Sequence, residues 1–374
     1  MPLDALDQDT VNKLPRLSQL RTAYGVQVNE VGVDELFELY RNTGFLYPEK
    51  ASRLLPHLQL VKENWRRMLR AEESLLYVLT AGDTEQGRAS LAVWRSARHG
   101  WTYQHLVSES NPFASRAVML AAEAESILKG SDESAQNWYR PENRFPARVF
   151  GSMTESIGGS LSSVQRHAYL ALSRQRSLPP DAGIRVVAYD PSRNRDLRAI
   201  AEMARGRVYV TAEELGTDVS LSALDGLYRR VGLRRTRSVW LAYSKRTDEL
   251  LAAALAYRGP LGLNFSFLEN RCDLLMSPHL SSGEIEGAGT ALLSAAAAAY
   301  ENFELEDIPV VASEHAAPVL TNFGAEILRQ YCQCIWLKDG YARSYRHVDS
   351  FYSKVLSRSQ RHGLQLSRVL QEAV

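Results

Sequence analysis

The sequence predicts a mixed α/β fold that occurs twice: two tandem domains, each with a mostly antiparallel mixed sheet flanked by helices. Strand-like and helix-like patterns alternate over residues 25–176, and the same order of elements returns over 184–356. Between them, residues 177–183 hold the only Pro-Pro pair of the chain, which is typical of a linker. We expect residues 1–24 to form an arm and 357–374 a C-terminal helix or tail.

The first half begins with a strand-like run and two helices, and three strands follow. Apolar residues recur at helical spacing after Asp34, which is suited to cap the first helix. Turn residues separate the three strands, as antiparallel hairpins require. The predicted elements are strand 26–31, helices 34–40 and 54–69, strands 75–79, 88–94 and 102–107, helix 114–128, strand 135–139, helix 146–156 and strand 168–172.

The second half repeats this order. Glu142 and Pro146 near the fifth strand recur 172 residues later as Glu314 and Pro318, which supports a tandem repeat. The predicted elements are strand 184–189, helices 195–203 and 222–230, a hairpin of strands 238–243 and 250–257, strand 271–276, helix 290–300, strand 308–312, helix 317–323 and strand 332–337.

Composition excludes several classes of protein. With 374 residues, 45% hydrophobic and 23% charged, the chain is not disordered or of low complexity. A net charge of +1 provides no overall field to attract nucleic acid or an anionic membrane, although 37 of the 44 basic residues are Arg, which favours forked contacts to carboxylate or phosphate. Three cysteines argue against a disulfide framework. The acidic N-terminus and the lack of a long apolar stretch predict a cytoplasmic protein, and we expect no metal.

The sharpest local signal is the run from Glu284 to Thr290, Glu-Ile-Glu-Gly-Ala-Gly-Thr, between a predicted strand and a predicted helix. Glycines there let the backbone approach an anion, and the free N–H groups at a helix start point toward it. The pattern predicts a diphosphate site. The alternative is a turn between strand and helix that glycine eases, with no ligand.

Strand order and loop together resemble the GNAT superfamily of acyl-CoA-dependent acyltransferases, whose fourth strand runs into an Arg/Gln-x-x-Gly-x-Gly/Ala loop. The resemblance covers nearly the whole chain as a tandem. It implies that the second domain binds acetyl-CoA or another acyl-CoA, with the pyrophosphate cradled by Gly287, Ala288, Gly289 and Thr290.

Two departures from the family pattern bear on this site. Glu284 stands where the family has Arg or Gln, and its carboxylate beside a dianion opposes binding. The corresponding loop of the first half, residues 111–117, has no glycine, so we expect no coenzyme A there.

In this family a general base acts from the fourth or fifth strand. The resemblance implies three candidates: His279 after the predicted fourth strand, and Glu314 with His315 at the end of the fifth. The alternative is that these are polar strand ends facing solvent. Many members also place a Tyr four residues before a Gly-Phe pair, and Leu320 occupies that position in the second half.

The densest polar and aromatic cluster is residues 138–148 of the first half. Arg140, Glu142, Asn143 and Arg144 follow the fifth strand and would face the V-shaped split that the resemblance implies. They indicate a substrate pocket for an amine acceptor, or for an anion. The alternative is an Arg–carboxylate network that joins the two halves.

A second basic cluster is residues 229–237. Arg230 and Arg234 have an Arg-x-x-x-Arg spacing that occurs in cyclic-dinucleotide receptors, where guanidinium groups stack on guanine and bind phosphate. A nucleotide partner at these two residues is one interpretation. The other is a solvated helix end, stabilised by the helix dipole.

Aromatic residues mark the loop 44–50, Gly-Phe-Leu-Tyr-Pro-Glu-Lys, between the first two helices. The corresponding loop often covers the acceptor site in GNAT-like enzymes, so it is either a lid or a hydrophobic plug.

Two functions of different classes fit the sequence. The first is a GNAT-type N-acyltransferase that transfers an acyl group from acyl-CoA, held by the second domain, to an amine. The alternative is a catalytically inactive GNAT-fold binding or regulatory protein, with a nucleotide or cyclic dinucleotide as one candidate ligand.

Overall fold

The computed structural model describes residues 25–176, 178 and 181–371. The predicted arm, residues 1–24, lies outside the described residues. So do Ser177 and the Pro179-Pro180 pair of the predicted linker, and residues 372–374 of the predicted tail.

Helices and strands follow the predicted order and confirm the mixed α/β class. The strands are β1 (Gln27–Val28), β2 (Leu76–Ala81), β3 (Ala89–Arg95), β4 (Gly100–Ser108), β5 (Ser134–Tyr139), β6 (Ser162–Ser173), β7 (Ile184–Ala188), β8 (Thr236–Ser244), β9 (Leu250–Arg258), β10 (Cys272–Met276), β11 (Asp307–Ala312) and β12 (Glu326–Leu337). The helices are α1 (Val33–Asn42), α2 (Pro48–Leu54), α3 (Leu58–Leu69), α4 (Pro112–Lys129), α5 (Ser152–Ile157), α6 (Asn194–Ala212), α7 (Ser222–Arg229), α8 (Ser282–Ala296), α9 (Ala317–Leu320) and α10 (Tyr341–Gln371).

Two helical segments depart from regular α-helix. The helix predicted over 54–69 is divided by a 3₁₀ turn at Leu55–His57, where Pro56 has no N–H to donate to the preceding turn. The helix predicted over 146–156 begins with one turn at Arg144–Pro146 and a π-helical stretch, Ala147–Gly151, before α5.

The described strands form one twelve-stranded sheet in the order β1-β2-β3-β4-β5-β12-β6-β11-β10-β9-β8-β7. Strands β1 to β4 are antiparallel neighbours, and β4 pairs parallel with β5. The second half repeats this plan, since β7 to β10 are antiparallel neighbours and β10 pairs parallel with β11. The two predicted sheets are therefore joined edge to edge.

The halves exchange their last strands at the centre of this sheet. Strand β12, from the second half, lies between β5 and β6 of the first, with Cys332 opposite Tyr139 and Arg166. Strand β6 pairs in turn with β11, with Leu170 opposite Val310. The division into domains at 177–183 stays a prediction, and the strands on either side of it complete one common sheet.

Helices cover both faces of the sheet, so most strand residues are buried. The long helix α10 packs against α4 of the first half, and Arg116 donates to the Asp349 carboxylate at 2.5 Å. The three cysteines, Cys272, Cys332 and Cys334, are free and buried, as expected from their number and spacing.

Helix α8 begins at Ser282, whereas the sequence led us to expect a loop up to Thr290. Ser281 is the N-cap: its hydroxyl accepts from the Glu284 N–H at 3.4 Å, and the Glu284 carboxylate accepts from the Ser281 N–H at 2.9 Å. The Glu284 carboxylate also accepts from the Ser281 hydroxyl at 2.7 Å, and the two hydrogen bonds that it accepts from Ser281 hold the pKa of Glu284 below its usual value. The prediction of a glycine loop up to Thr290 is therefore wrong. The segment is a turn of helix α8, because the capping box starts the helix at Ser282.

Candidate functional site

A split between two parallel strands marks the first half. The register of β4 and β5 covers only Gly100–Thr102 opposite Ser134–Gln136, and beyond it the strands diverge. Side-chain amides bridge the gap: Asn137 Nδ2 donates to the Tyr103 carbonyl at 2.7 Å, and Gln104 Nε2 donates to the Trp138 carbonyl at 2.8 Å. Past Thr102, the edge of β4 that faces β5 has no strand partner in the described sheet.

A cavity of ≈ 210 Å³ opens at this split. It adjoins a second cavity of ≈ 480 Å³ that reaches the N-terminus of α4, and the two share Gly44, Phe45, Leu106, Asn143 and Phe145. The first cavity, which we call the split cavity, is lined by Gly44, Phe45, Tyr47, Lys50, Gln104, His105, Leu106, Asn137, Trp138, Tyr139, Arg140, Asn143, Phe145, Pro146, Phe150, Asn264, Phe265, Ser266 and Tyr331.

His105 lies at the inner wall of the split cavity on a β-bulge. Two residues of β4, His105 and Leu106, lie opposite one residue of β3, and His105 has a φ of 55°. The imidazole stacks against Phe265 and Trp65 with centroids 4.2 and 5.6 Å away. Burial lowers the pKa of His105 well below its usual value, so the ring is neutral at pH 7, and its Nδ1 has no hydrogen-bond partner among the described residues.

Cationic side chains gather at the outer wall of the split cavity. The Tyr47 hydroxyl accepts from Arg140 Nη1 at 3.1 Å and from Arg329 Nη1 at 3.0 Å. Each guanidinium also pairs with a carboxylate at the surface, Arg140 with Glu142 and Arg329 with Glu49.

Lys50, from α2, lies beside these groups. Its Nζ is 3.8 Å from the Phe45 ring centroid and 5.0 Å from that of Tyr47. Burial, with the nearby charges of Arg329 and Arg140, lowers the pKa of Lys50 to about 7. Among the described residues Lys50 has no ion-pair partner.

In the second half β10 pairs with β11 only at Cys272 and Asp273, so these strands also separate beyond Asp273, and a buried ion-pair network lies at their paired end. On the α6 side of β10, the Glu213 carboxylate accepts from Arg271 at 3.1 Å and from Arg237 at 3.3 Å. Asp273 accepts from Arg271 at 3.0 Å and from the Tyr209 hydroxyl at 2.8 Å. All five side chains are buried. Burial alone would lower the pKa of Arg271, but Asp273 and Glu213 raise it well above its usual value.

The residues predicted to cradle a pyrophosphate, Gly287 to Thr290, are buried within α8. A Cβ on Gly287 would lie 2.4 Å from Oδ2 of Asp181, and one on Gly289 would lie 2.8 Å from Cδ2 of Leu320. Here glycine permits close packing of the helix, and the N–H groups of this turn belong to the helix rather than to an open cradle. That Gly287 to Thr290 bind the pyrophosphate of an acyl-CoA stays a prediction, and this geometry does not favour it.

The three candidate bases lie at the surface. His279, Glu314 and His315 are exposed, and none lines the cavities described above. Glu314 accepts from the Gln330 side chain at 2.7 Å. Their catalytic role stays a prediction.

The predicted substrate residues divide into two pairs. Arg140 and Asn143 line the split cavity, whereas Glu142 and Arg144 are exposed outside it. Asn143 also caps the short turn at Phe145 by accepting from its N–H at 3.3 Å. Phe45 of the loop 44–50 packs against Tyr40 and also lines the split cavity, and the role of the loop as a lid or a plug stays a prediction.

Arg230 and Arg234 are each paired within the protein. Arg230 Nη1 lies 2.9 Å from Glu73, and Arg234 Nε lies 3.1 Å from Asp225. Their neighbours Arg235 and Arg237 are buried in ion pairs with Glu269 and Glu213. This arrangement fits the solvated helix end better than a nucleotide site.

Sequence reasoning missed Lys50 and His105 as site residues. Lys50 is one of only seven lysines, and it ends the aromatic loop that was singled out. His105 offered the weaker signal of a single imidazole in an apolar strand.

In the described part of the chain, no helix combines the length and apolar character needed to cross a bilayer. Among the same residues, no group of three or more His, Cys, Asp or Glu side chains converges as metal ligands would.

The chain matches no protein-family model and no curated protein. It is similar in structure to a Drosophila protein of a structural genomics programme, at 12% identity and a TM-score of 0.43, over 82% of this chain and 96% of that one. A tandem GNAT protein from the clavulanic acid biosynthesis pathway matches at 11% identity and a TM-score of 0.40, over 84% and 98%. A GCN5-related N-acetyltransferase from Sphaerobacter thermophilus matches at 14% identity and a TM-score of 0.41, over 74% and 85%. At these values we base the site on the geometry of this chain alone.

Proposed function

We propose that the protein is an acyltransferase of the GNAT type, in which an acyl-CoA and an amine meet at the split of the first half. The observation that carries this proposal is the divergence of β4 from β5, with a cavity at the split and a second one adjoining it. The sequence predicted that the acyl-CoA binds in the second half. We assign it to the first, because the two cavities lie there, whereas in the second half Gly289 of α8 packs closely against Leu320 of α9.

The residues of the split fit an extended donor with amide groups. Beyond Thr102 the free edge of β4 offers backbone groups to such a chain, as strand edges do for peptides. At the far end, the adjoining cavity reaches Ser108, Ser110 and Ser115 beside the start of α4. The thioester of an acyl-CoA supplies an activated carbonyl carbon.

Two groups at the inner wall are suited to the acceptor amine. Asn137 donates through Nδ2 to Tyr103, which leaves its buried Oδ1 as an acceptor without a partner among the described residues. The neutral His105 lines the same cavity, and its buried Nδ1 has no partner among the described residues. In the transfer the ammonium ion first gives up one proton to solvent, the nitrogen of the neutral amine bonds to the acyl carbon, and the C–S bond breaks. The second proton that the nitrogen loses balances the one that the leaving thiolate gains.

Thermal unfolding with and without millimolar acetyl-CoA and longer acyl-CoAs tests the proposal. We expect a ligand-dependent rise of the unfolding temperature in the wild type. Leu106→Trp, which fills the passage between the two cavities, should abolish this rise. Gly283→Trp is the matched control in the second half, because a side chain there meets open space at the start of α8.

Loss of the rise in Gly283→Trp, with Leu106→Trp unaffected, would return the donor to the second half. No rise with any acyl-CoA would overturn the transferase and leave the inactive binding protein, the alternative from the sequence.

A further inference from the structure

The charges around the split cavity point to a class of ligand. Its lining contains Lys50 and Arg140 and no Asp or Glu. A bare amine is a cation at neutral pH, so the outer wall would repel it, whereas an anion would be attracted.

Lys50 is the residue whose charge is least compensated. Arg140 and Arg329 have Glu142 and Glu49 at the surface, whereas Lys50 lies over the rings of Phe45 and Tyr47 and has no ion pair among the described residues. A partly buried cation without a counter-ion is unfavourable, and a ligand anion would supply the missing partner.

The inner wall has the opposite character. Asn137 Oδ1 and His105 Nδ1 are buried atoms without partners among the described residues, and both residues line the cavity. They can accept hydrogen bonds from an amino group, so the two walls together match a small molecule with an amine at one end and an anion at the other.

We propose that the acceptor is an amine that carries a carboxylate or a phosphate, and that Lys50 and Arg140 bind this anionic group. The inference rests on the proposed function only where it calls the ligand an acceptor. The binding of the anion stands independently of acyl transfer.

The pH dependence of binding follows from the groups that face Lys50. These are Tyr47 and Glu49 near it in the chain, His105 from β4, Arg140 after β5, and Arg329 with Tyr331 from β12. Because the pKa of Lys50 is about 7 and an anion binds its charged form, binding takes up a proton above pH 7.

Calorimetric titration in the absence of acyl-CoA tests the inference. The probes are 4-aminobutyrate for the carboxylate, 2-aminoethyl phosphate for the phosphate, and butylamine as the amine without an anion. We expect one or both anionic probes to bind and butylamine not to bind. The affinity for 4-aminobutyrate should fall about tenfold or more between pH 6.5 and 8.5.

Three variants sharpen the test. Lys50→Met should abolish binding of the anionic probes. Lys50→Arg should bind them with little dependence on pH, because the guanidinium stays charged. Lys62→Met is the matched control, since Lys62 pairs with Asp34 outside the split cavity, and it should bind like the wild type.

Equal binding of butylamine and 4-aminobutyrate, unchanged affinity in Lys50→Met, or no binding of either anionic probe would overturn the inference. If 4-aminobutyrate binds while acyl-CoAs do not, the anion site stands and the proposed transferase fails. If acyl-CoAs bind and neither anionic probe does, the reverse holds.

Discussion

In the first half, strand β4 borders a cavity in which Lys50 lacks a counter-ion, whereas in the second half strand β10 borders the buried carboxylate of Glu213 and guanidinium of Arg271. Both places hold charge that is shielded from solvent beside the fourth strand of a repeat. In the second half the charges of Glu213, Asp273, Arg237 and Arg271 pair with one another within the protein. The comparison shows that a charge near the fourth strand of a repeat can be part of the core or part of a binding site. It is part of the core where the protein supplies the counter-ion, and it is available to a ligand where the protein does not.

Removing Glu213 should have the largest effect. Glu213→Ala leaves the buried guanidinium groups of Arg271 and Arg237 without this carboxylate, and we expect a loss on the order of 3–5 kcal/mol in the free energy of unfolding. Urea denaturation followed by tryptophan fluorescence measures it. Glu304→Ala is the control, since its pair with Arg258 at 3.7 Å is partly exposed and should contribute less than about 1 kcal/mol.

If Glu213→Ala does not fold, Tyr257→Phe removes the 2.9 Å hydrogen bond to Glu213 and the 3.2 Å one from Arg237, and should cost about 2 kcal/mol. A Glu213→Ala protein as stable as Glu304→Ala would contradict the view that this network holds the second half closed.

Lys50→Met should reveal the uncompensated charge of the first half. Because burial lowers the pKa of Lys50 to about 7, the unfolded chain binds a proton that the folded one lacks between pH 7 and the usual lysine range. The wild type should therefore gain stability relative to Lys50→Met as pH rises above 7, by at most about 1.4 kcal/mol per pH unit.

Unfolding free energies of the two proteins at pH 6, 7.5 and 9 provide the measurement. Lys50→Met should be the more stable at pH 6, with its advantage shrinking by pH 9. A difference that does not vary with pH would show that Lys50 is solvated like an ordinary lysine.

The smallest effect is expected at the surface between the halves. Arg230→Ala combined with Arg234→Ala should change the free energy of unfolding by less than about 1 kcal/mol, because both arginines are more than half exposed, at 62% and 61%. Calorimetry with a cyclic dinucleotide should show no binding to the wild type. Tight binding that the double variant loses would revive the receptor interpretation.

The order of elements could be predicted because the periodicity of each element is local. The capping box could also be predicted, because Ser281 is followed three residues later by Glu284. The segment was interpreted as a glycine loop instead. The exchange of β6 and β12 could not be foreseen, since strand pairing joins residues far apart in the chain.

The candidate site could be predicted only in part, for the same reason. Arg140 and Asn143 belong to a dense local cluster and were identified from it. Lys50 becomes notable only when Arg140 and Arg329, about 90 and 280 residues later, are brought beside it without a carboxylate for Lys50 itself.

The central position of β12 also bears on how the chain folds as it is synthesised. Until residues 326–337 have left the ribosome, β5 and β6 lack the strand that lies between them, and both present open edges. The first half therefore cannot finish folding as an independent unit during translation, although its other elements are complete by residue 176. The nascent protein depends on the last of the described strands, β12, to complete the sheet of its first repeat.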